Sequence, residues 1–307
     1  MMQNTNDKRF RFVEYSSDEA ERTGYSNYSY WRSVFKNFLK KKSAVVMAVI
    51  FFVLVIFTFV AQIIGKYNYS TLLTDSSLAF VSPNSEFWFG TDNLGRDYWS
   101  QVWYAAQTSI KLALLVALGE CVIGVTIGCL WGYVRSLDRI ITEIYNVMNN
   151  IPMIIYMTLI ALVVGQGFAI MAAAMIAFGW LPMARNVRNL VLMYRDREYN
   201  LASRCLGTPV WRILVKNIFP YLVSVIILRL ALSIPYTIAL ESTLSYLGLG
   251  LDITTPSLGI LLRNARNYFL EYPYLLIFPA VIVSLITITF YLVGNAFSDA
   301  ADPRNHV

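Results

Sequence analysis

Three ionisable side chains stand inside long apolar stretches of the sequence: Glu120, Arg229 and Glu241. A charge held at the centre of a membrane helix costs about 3 kcal/mol or more, so such a group must meet water, a partner or a charged solute. Glu241, near the outer end of its stretch, reads as the lining of an aqueous path. Glu120 and Arg229 can line the same path, or they can pair with each other across a helix bundle. Other chemistry is sparse. The only histidine is His306, and Cys121, Cys129 and Cys205 show no metal or redox spacing. Cys121 and Cys129 lie among apolar residues and read as packing groups. No GxxxxGK[ST] run is present, so no ATP site is expected in this chain. The paired Asp, Ser–Lys/His or HExxH that an intramembrane protease needs is not visible in the spans, and neither are the internal repeats common in secondary transporters. The residues point to passage and gating instead of catalysis.

The elements that must position these groups are membrane helices. The 307 residues are 57% hydrophobic and only 14% charged, against about 25% charged in ordinary soluble domains. The apolar residues fall in blocks of about 20, the length that crosses a hydrocarbon core roughly 30 Å thick. Six spans are predicted, over 43–64, 112–133, 141–164, 168–184, 220–240 and 274–294. A turn at Gly165-Gln166-Gly167 separates the third from the fourth. A polar tail (1–42) precedes them; its Trp31, Val34, Phe35 and Phe38 are at helical spacing, which predicts a helix lying on the inner membrane surface. This tail is too long and polar for the n-region of a secretory signal. An outer loop (65–110) follows the first span. The remaining core (111–294) holds a cytoplasmic loop at 185–219, and a cytoplasmic tail (295–307) ends the chain. Trp131 and Trp180 read as interface anchors.

Charge sets the orientation. With both termini inside, the cytoplasmic Lys and Arg number nine in the tail, two in the second loop, seven in the fourth and one at the end, against five outside. The N-in, C-in arrangement therefore follows the positive-inside rule. The net charge of +6 is a topology signal, so nucleic acid is not an expected partner.

Three segments carry further patterns. Glu198 to Pro220 reads as helix, break, helix: Gly207 suits a left-handed C-cap position, Pro209 opens the next helix, and small Ala202 and Ser203 let another surface approach. By residues alone this is either an ordinary amphipathic loop or a short surface helix that transmits force from a soluble partner. Phe89 to Asp97 offers turn and capping chemistry in Gly90, Thr91, Asp92, Gly95, Arg96 and Asp97; it reads as a structural loop, with docking of an external protein as the alternative. Leu244 to Gly250, including Tyr246 and Leu247, alternates small and large apolar residues, suited to tight packing or a gate.

These segments bear a family resemblance. Ala202, Gly207, Ile218 and Pro220 stand at the spacing of the EAA loop of ABC importer permeases, with Leu201 where that family usually has Glu and Ser203 where it has the second Ala. Phe89-Gly90-Thr91-Asp92-Asn93-Leu94-Gly95-Arg96-Asp97 is similar to the FGTDxLGRD signature of dipeptide and oligopeptide permeases. Leu244-Ser245-Tyr246-Leu247-Gly248-Leu249-Gly250, Thr255-Pro256-Ser257-Leu258-Gly259 and Asp299-Ala300-Ala301-Asp302-Pro303-Arg304 resemble their LSFLGLG, PSWG and DxLDPR elements. From about residue 30 onward the chain resembles the OppC/DppC type, most like streptococcal and related Gram-positive oligopeptide permeases of the AmiD kind.

The resemblance implies an all-α membrane protein with the type I ABC importer permease fold, working by alternating access in the plasma membrane of a Gram-positive bacterium. It implies a coupling helix around Glu198, Ala202, Ser203, Arg204, Gly207, Thr208, Pro209 and Trp211. The expected partners are a second permease (OppB type), two ATPases (OppD and OppF type) that bind ATP and Mg, and an extracellular substrate-binding lipoprotein (OppA type). The chain itself is expected to bind no cofactor. Oligopeptides are the expected cargo; importers of nickel, heme precursors and sugar-peptides share this permease type and form the alternative.

Overall fold

The computed structural model describes residues 30–67, 69, 75–252 and 255–301. The last part of the DxLDPR-like segment, 302–304, and His306 lie outside these residues. Among the described residues the regular structure is helical, apart from an isolated bridge between Thr91 and Asp97.

Helix α1 (Tyr30–Lys40) and helix α2 (Lys42–Ile64) open the fold. α1 is the expected amphipathic helix, but it is docked on protein: Val34 and Phe38 bury against Ala44 of α2 and Ala300 near the C-terminal end of the described chain. α2 buries only Ala44, Thr58 and Ala61. Phe51, Leu54, Val55 and Phe57 pack partly against the core, while Val46, Val49, Phe52, Val53, Ile56 and Ile63 are exposed, as a helix solvated by lipid on one side requires.

Helix α3 (Tyr98–Tyr133) has 36 residues and begins well before the predicted start of its span. The hydropathy pattern missed its first turns because they carry Ser100, Gln101, Thr108 and Ser109, polar groups that are buried against protein and not exposed to lipid. The third predicted span is not one straight helix. Residues 135–139, expected as a loop, begin helix α4 (Arg135–Asn149), and helix α5 (Met153–Val163) follows at an angle of 79°. Asp138, Arg139, Glu143 and Asn146 make α4 amphipathic, and Pro152 cannot extend the helix before it.

Helix α6 (Phe168–Arg195) continues past the expected end of its span and contains Pro182. Helix α7 (Glu198–Cys205) is short. Helix α8 (Val210–Tyr246) is continuous over 37 residues, with a π-helical turn at Ile213–Ile218 and Pro235 inside. Helix α9 (Leu258–Ala265) interrupts the loop predicted after α8, and helix α10 (Tyr274–Ala301) ends the described chain. Among the described residues five helices (α2, α3, α6, α8 and α10) are long and apolar enough to cross a membrane, and counting the bent pair α4–α5 as one span gives six.

The most extensive pairing joins α3 to α6. Gly124, Gly128 and Gly132 recur every four residues on α3, and a Cβ on each would lie 2.6–2.7 Å from Met183, Ala184 or Val191. This is close backbone approach through small residues, the packing that replaces the hydrophobic effect between helices in lipid. A second cluster joins α3, α8, α9 and α10 through Val102, Ile110, Ile238, Leu258, Leu275 and Ile286.

Candidate translocation and coupling sites

The Phe89–Asp97 segment, expected on the outer side, closes on itself. Asp92 accepts bonds from the backbone N–H groups of Leu94 and Arg96, both at 2.9 Å. Its other oxygen meets Arg96 Nη2 at 2.7 Å and Gln101 Nε2 at 3.0 Å. Gly90 and Gly95 take positive φ on either side of this turn. Thr91 Oγ1 donates to Leu78 O at 2.6 Å and accepts from Val81 N at 2.8 Å. Asp97 caps α3, accepting from Ser100 N and Ser100 Oγ at 2.8 and 2.7 Å. Burial raises the Asp97 carboxyl above its usual range in spite of these bonds. The loop is tied to α10 by Tyr274 Oη, which donates to Thr91 O at 2.8 Å, and by Tyr98 Oη, which donates to Leu275 O at 2.6 Å.

Glu241 does not line an open path in this structure. It has no exposed surface, and its carboxylate accepts from Ser245 Oγ at 2.8 Å and Ser109 Oγ at 3.2 Å. Ser109 Oγ in turn accepts from Leu258 N at 3.3 Å, the first residue of α9. The carboxylate is thus the centre of a polar knot that joins α3, α8 and α9. Local hydroxyl donors satisfy its oxygens in place of water. Leu244 is likewise fully buried, packed with Leu112, Val116, Met175 and Ile260. Tyr246 and Leu247 are exposed beside it, and the Arg266 guanidinium lies 5.7 Å from the Tyr246 ring centre. Gln166, in the turn between α5 and α6, donates to Gly248 O at 2.8 Å and ties these outer ends together.

Glu120 and Arg229 share a cavity of about 480 Å³, formed where α4 bends into α5. Its walls come from that bend, from the middle of α6 at Phe178 to Met183, and from α8 at Arg229, Ser233 and Tyr236. Among the described residues no ion pair joins the two charges. Glu120 accepts from Ser233 Oγ at 2.5 Å, and Arg229 Nη2 donates to Asn186 Oδ1 at 3.2 Å. The i, i+4 spacing of Arg229 and Ser233 puts both on one face of α8. That spacing was present in the sequence, whereas the contribution of Asn186 from α6 was not visible there. Among the described residues, no three His, Cys, Asp or Glu side chains gather as a metal site.

The corner expected on the cytoplasmic side is built from the end of α6, α7 and the start of α8. Gly207 has φ +75°, and a Cβ there would meet open space, so the glycine answers a backbone need and not a packing one. Gly207 N donates to Arg204 O at 2.9 Å and Thr208 N to Ser203 O at 3.0 Å, the paired bonds of a Schellman C-cap. Pro209 then stands at the N-cap of α8. Arg204 donates to Arg195 O and to Asp196 at 3.2 Å, and its guanidinium lies 5.5 Å from the Tyr133 ring centre. Asp196 feels slight desolvation, but its bonds to Arg204 and Arg195 hold its carboxyl below the usual range. Asn217 Nδ2 donates to the buried Asn200 at 2.9 Å, linking α7 to the π turn of α8. Glu198, Ala202, Leu206 and Trp211 are exposed on this corner, Leu206 at 86% and Trp211 at 75%.

A brace beside this corner was not anticipated. Arg188 of α6 binds Asp138 of α4 at 2.6 Å and stacks on Trp131. Trp131 Nε1 donates to Thr142 Oγ1 at 3.1 Å. Trp131 is almost fully buried, so it is a bundle residue and not an interface anchor.

Comparison with known proteins agrees with this architecture. Residues 124–307 match the family described as binding-protein-dependent transport system inner membrane component, and residues 29–83 match the N-terminal TM domain of oligopeptide transport permease C. The chain is 39% identical over 301 residues to the oligopeptide transport system permease protein AmiD of Streptococcus pneumoniae, covering 97% of this chain and 98% of that protein. It is 32% identical to OppC of Bacillus subtilis, covering 99% of each. A solved structure of the MetNI methionine ABC transporter shares the fold, with TM-score 0.55 at 16% identity over 66% of this chain and 96% of that one. The membrane helices, the family match over residues 124–307 and the end-to-end relatives place this chain in the family of binding-protein-dependent transport system inner membrane components, the permease subunits of ABC importers.

Proposed function

We propose that this chain is one of the two permease subunits of a Gram-positive importer of oligopeptides. The observation that carries the reading is similarity along the whole chain to an oligopeptide permease, at 39% identity. ATP and Mg belong to two partner ATPases of the OppD and OppF type. A second permease of the OppB type completes the path, and an OppA-type lipoprotein delivers the peptide.

The chain's own residues supply a mechanical connection. The exposed Leu206 and Trp211 offer an apolar contact for an ATPase, and Gly207 sets the angle between α7 and α8. α8 runs unbroken from this corner to the cavity at Arg229 and Ser233 and on to the Glu241 knot. A displacement of the corner is therefore carried to the cavity wall by a single helix, with the π turn at Ile213–Ile218 as the place where it can adjust. The test is uptake of a labelled tetrapeptide with and without this chain. Loss of peptide uptake with nickel uptake unchanged supports the reading; loss of nickel uptake alone moves it to another cargo.

A further inference from the structure

The cavity at the α4–α5 bend is lined by both Glu120 and Arg229, and among the described residues the two form no ion pair with each other. Among the described residues, Ser233 is the only hydrogen-bond donor to Glu120, although a carboxylate offers about four acceptor sites. Among the described residues Asn186 is also the only acceptor for the exposed Arg229, although a guanidinium carries five donors. Glu120 is nearly buried, and its carboxyl lies against the bare face of Gly179, where an added Cβ would fall 1.8 Å from Oε1 and displace it. Ser233, which holds Glu120, lies four residues after Arg229, about 6 Å of rise along α8. Between and around them the walls are apolar and aromatic, including Tyr156, Phe178 and Tyr236.

We infer that this cavity is a clasp for short zwitterionic peptides, in which Glu120 receives the free ammonium end and Arg229 the free carboxylate end. This rests on the peptide-importer reading and adds how the cargo is recognised. Glu120 is nearly buried and Arg229 is exposed at the cavity wall, and a zwitterion offers a charged partner to both at once. An extended tripeptide spans about 10 Å, which one turn of α8 plus the reach of the Arg229 stem can accommodate. The cavity volume of about 480 Å³ lies within the size of small-ligand sites. Recognition through the termini makes no demand on side chains, which meet walls that are mostly apolar and aromatic.

The test is equilibrium binding to the complete transporter in nanodiscs, without the extracellular binding protein, so that only the membrane subunits select. The probes are tri-alanine, N-acetyl tri-alanine and tri-alanine amide. For the wild type, each cap weakens binding about tenfold or more, the loss of one charge-assisted bond. In Glu120→Gln, which still accepts from Ser233, N-acetylation no longer matters and amidation still does. In Arg229→Gln the pattern reverses. Cap effects that stay the same in both variants, or wild-type binding that ignores the caps, would overturn the clasp. Tri-alanine uptake by the wild-type transporter is measured in parallel. Uptake together with unselective variants overturns the clasp and leaves the peptide reading standing, whereas no uptake of tri-alanine or longer peptides overturns that reading and the clasp with it.

Discussion

Individual residues here have separable jobs. Gly207 works through its backbone alone, since nothing lies within 4 Å of a Cβ placed there. A β-branched residue in the left-handed region costs about 1–2 kcal/mol. Gly207→Val should therefore lower peptide uptake about tenfold per assembled transporter, and Gly207→Ala less. Normal uptake by the Val variant at normal expression would show that the cap geometry is dispensable. Glu241 works through its serines. Glu241→Ala leaves Ser109, Ser242 and Ser245 without their carboxylate acceptor, a loss of about 1–3 kcal/mol. It should lower the thermal stability of the purified chain and affect neutral and charged peptides alike. Glu241→Gln, which keeps an acceptor oxygen, should lose less. A change confined to charged peptides would return Glu241 to the path.

The elements show why some of this was legible in the sequence and some was not. The turn chemistry of Asp92, Arg96 and Asp97 could be read because their main partners lie within five residues. The Gly207 cap could be read for the same reason. Glu241 misled because Ser109 lies 132 residues away, and hydropathy around Glu241 carries no sign of a distant donor. The early start of α3 was hidden because its polar residues are buried against protein, where a lipid-based pattern expects apolar ones. The bend between α4 and α5 did have a local signal in Pro152 and in the polar face of α4, and an apolar block count passes over both. The glycine seam of α3 was equally visible in its spacing. It yields a prediction at this scale: in Gly128→Leu the added side chain meets the Ala184 backbone, whose oxygen lies 2.6 Å from the Cβ position. Overpacking of this kind costs about 1–3 kcal/mol. The variant should elute as a broadened or aggregated species in detergent chromatography, while a sharp wild-type profile would show that α6 can yield.

At the scale of the whole molecule, orientation and cargo are the claims that matter. The cytoplasmic placement of the α7–α8 corner can be checked with Cys205, which is exposed there. With Cys121 and Cys129 replaced, a membrane-impermeant maleimide should label Cys205 in inside-out vesicles stripped of ATPases and not in intact cells. Labelling from the outside would invert the topology.

The central claim, that this permease carries peptides, is tested most directly by uptake of a labelled tetrapeptide in cells whose other peptide importers have been deleted. The account predicts that removing this chain abolishes tetrapeptide uptake, leaves nickel uptake unchanged, and is reversed by restoring the chain. Tetrapeptide uptake that persists unchanged in its absence would contradict it.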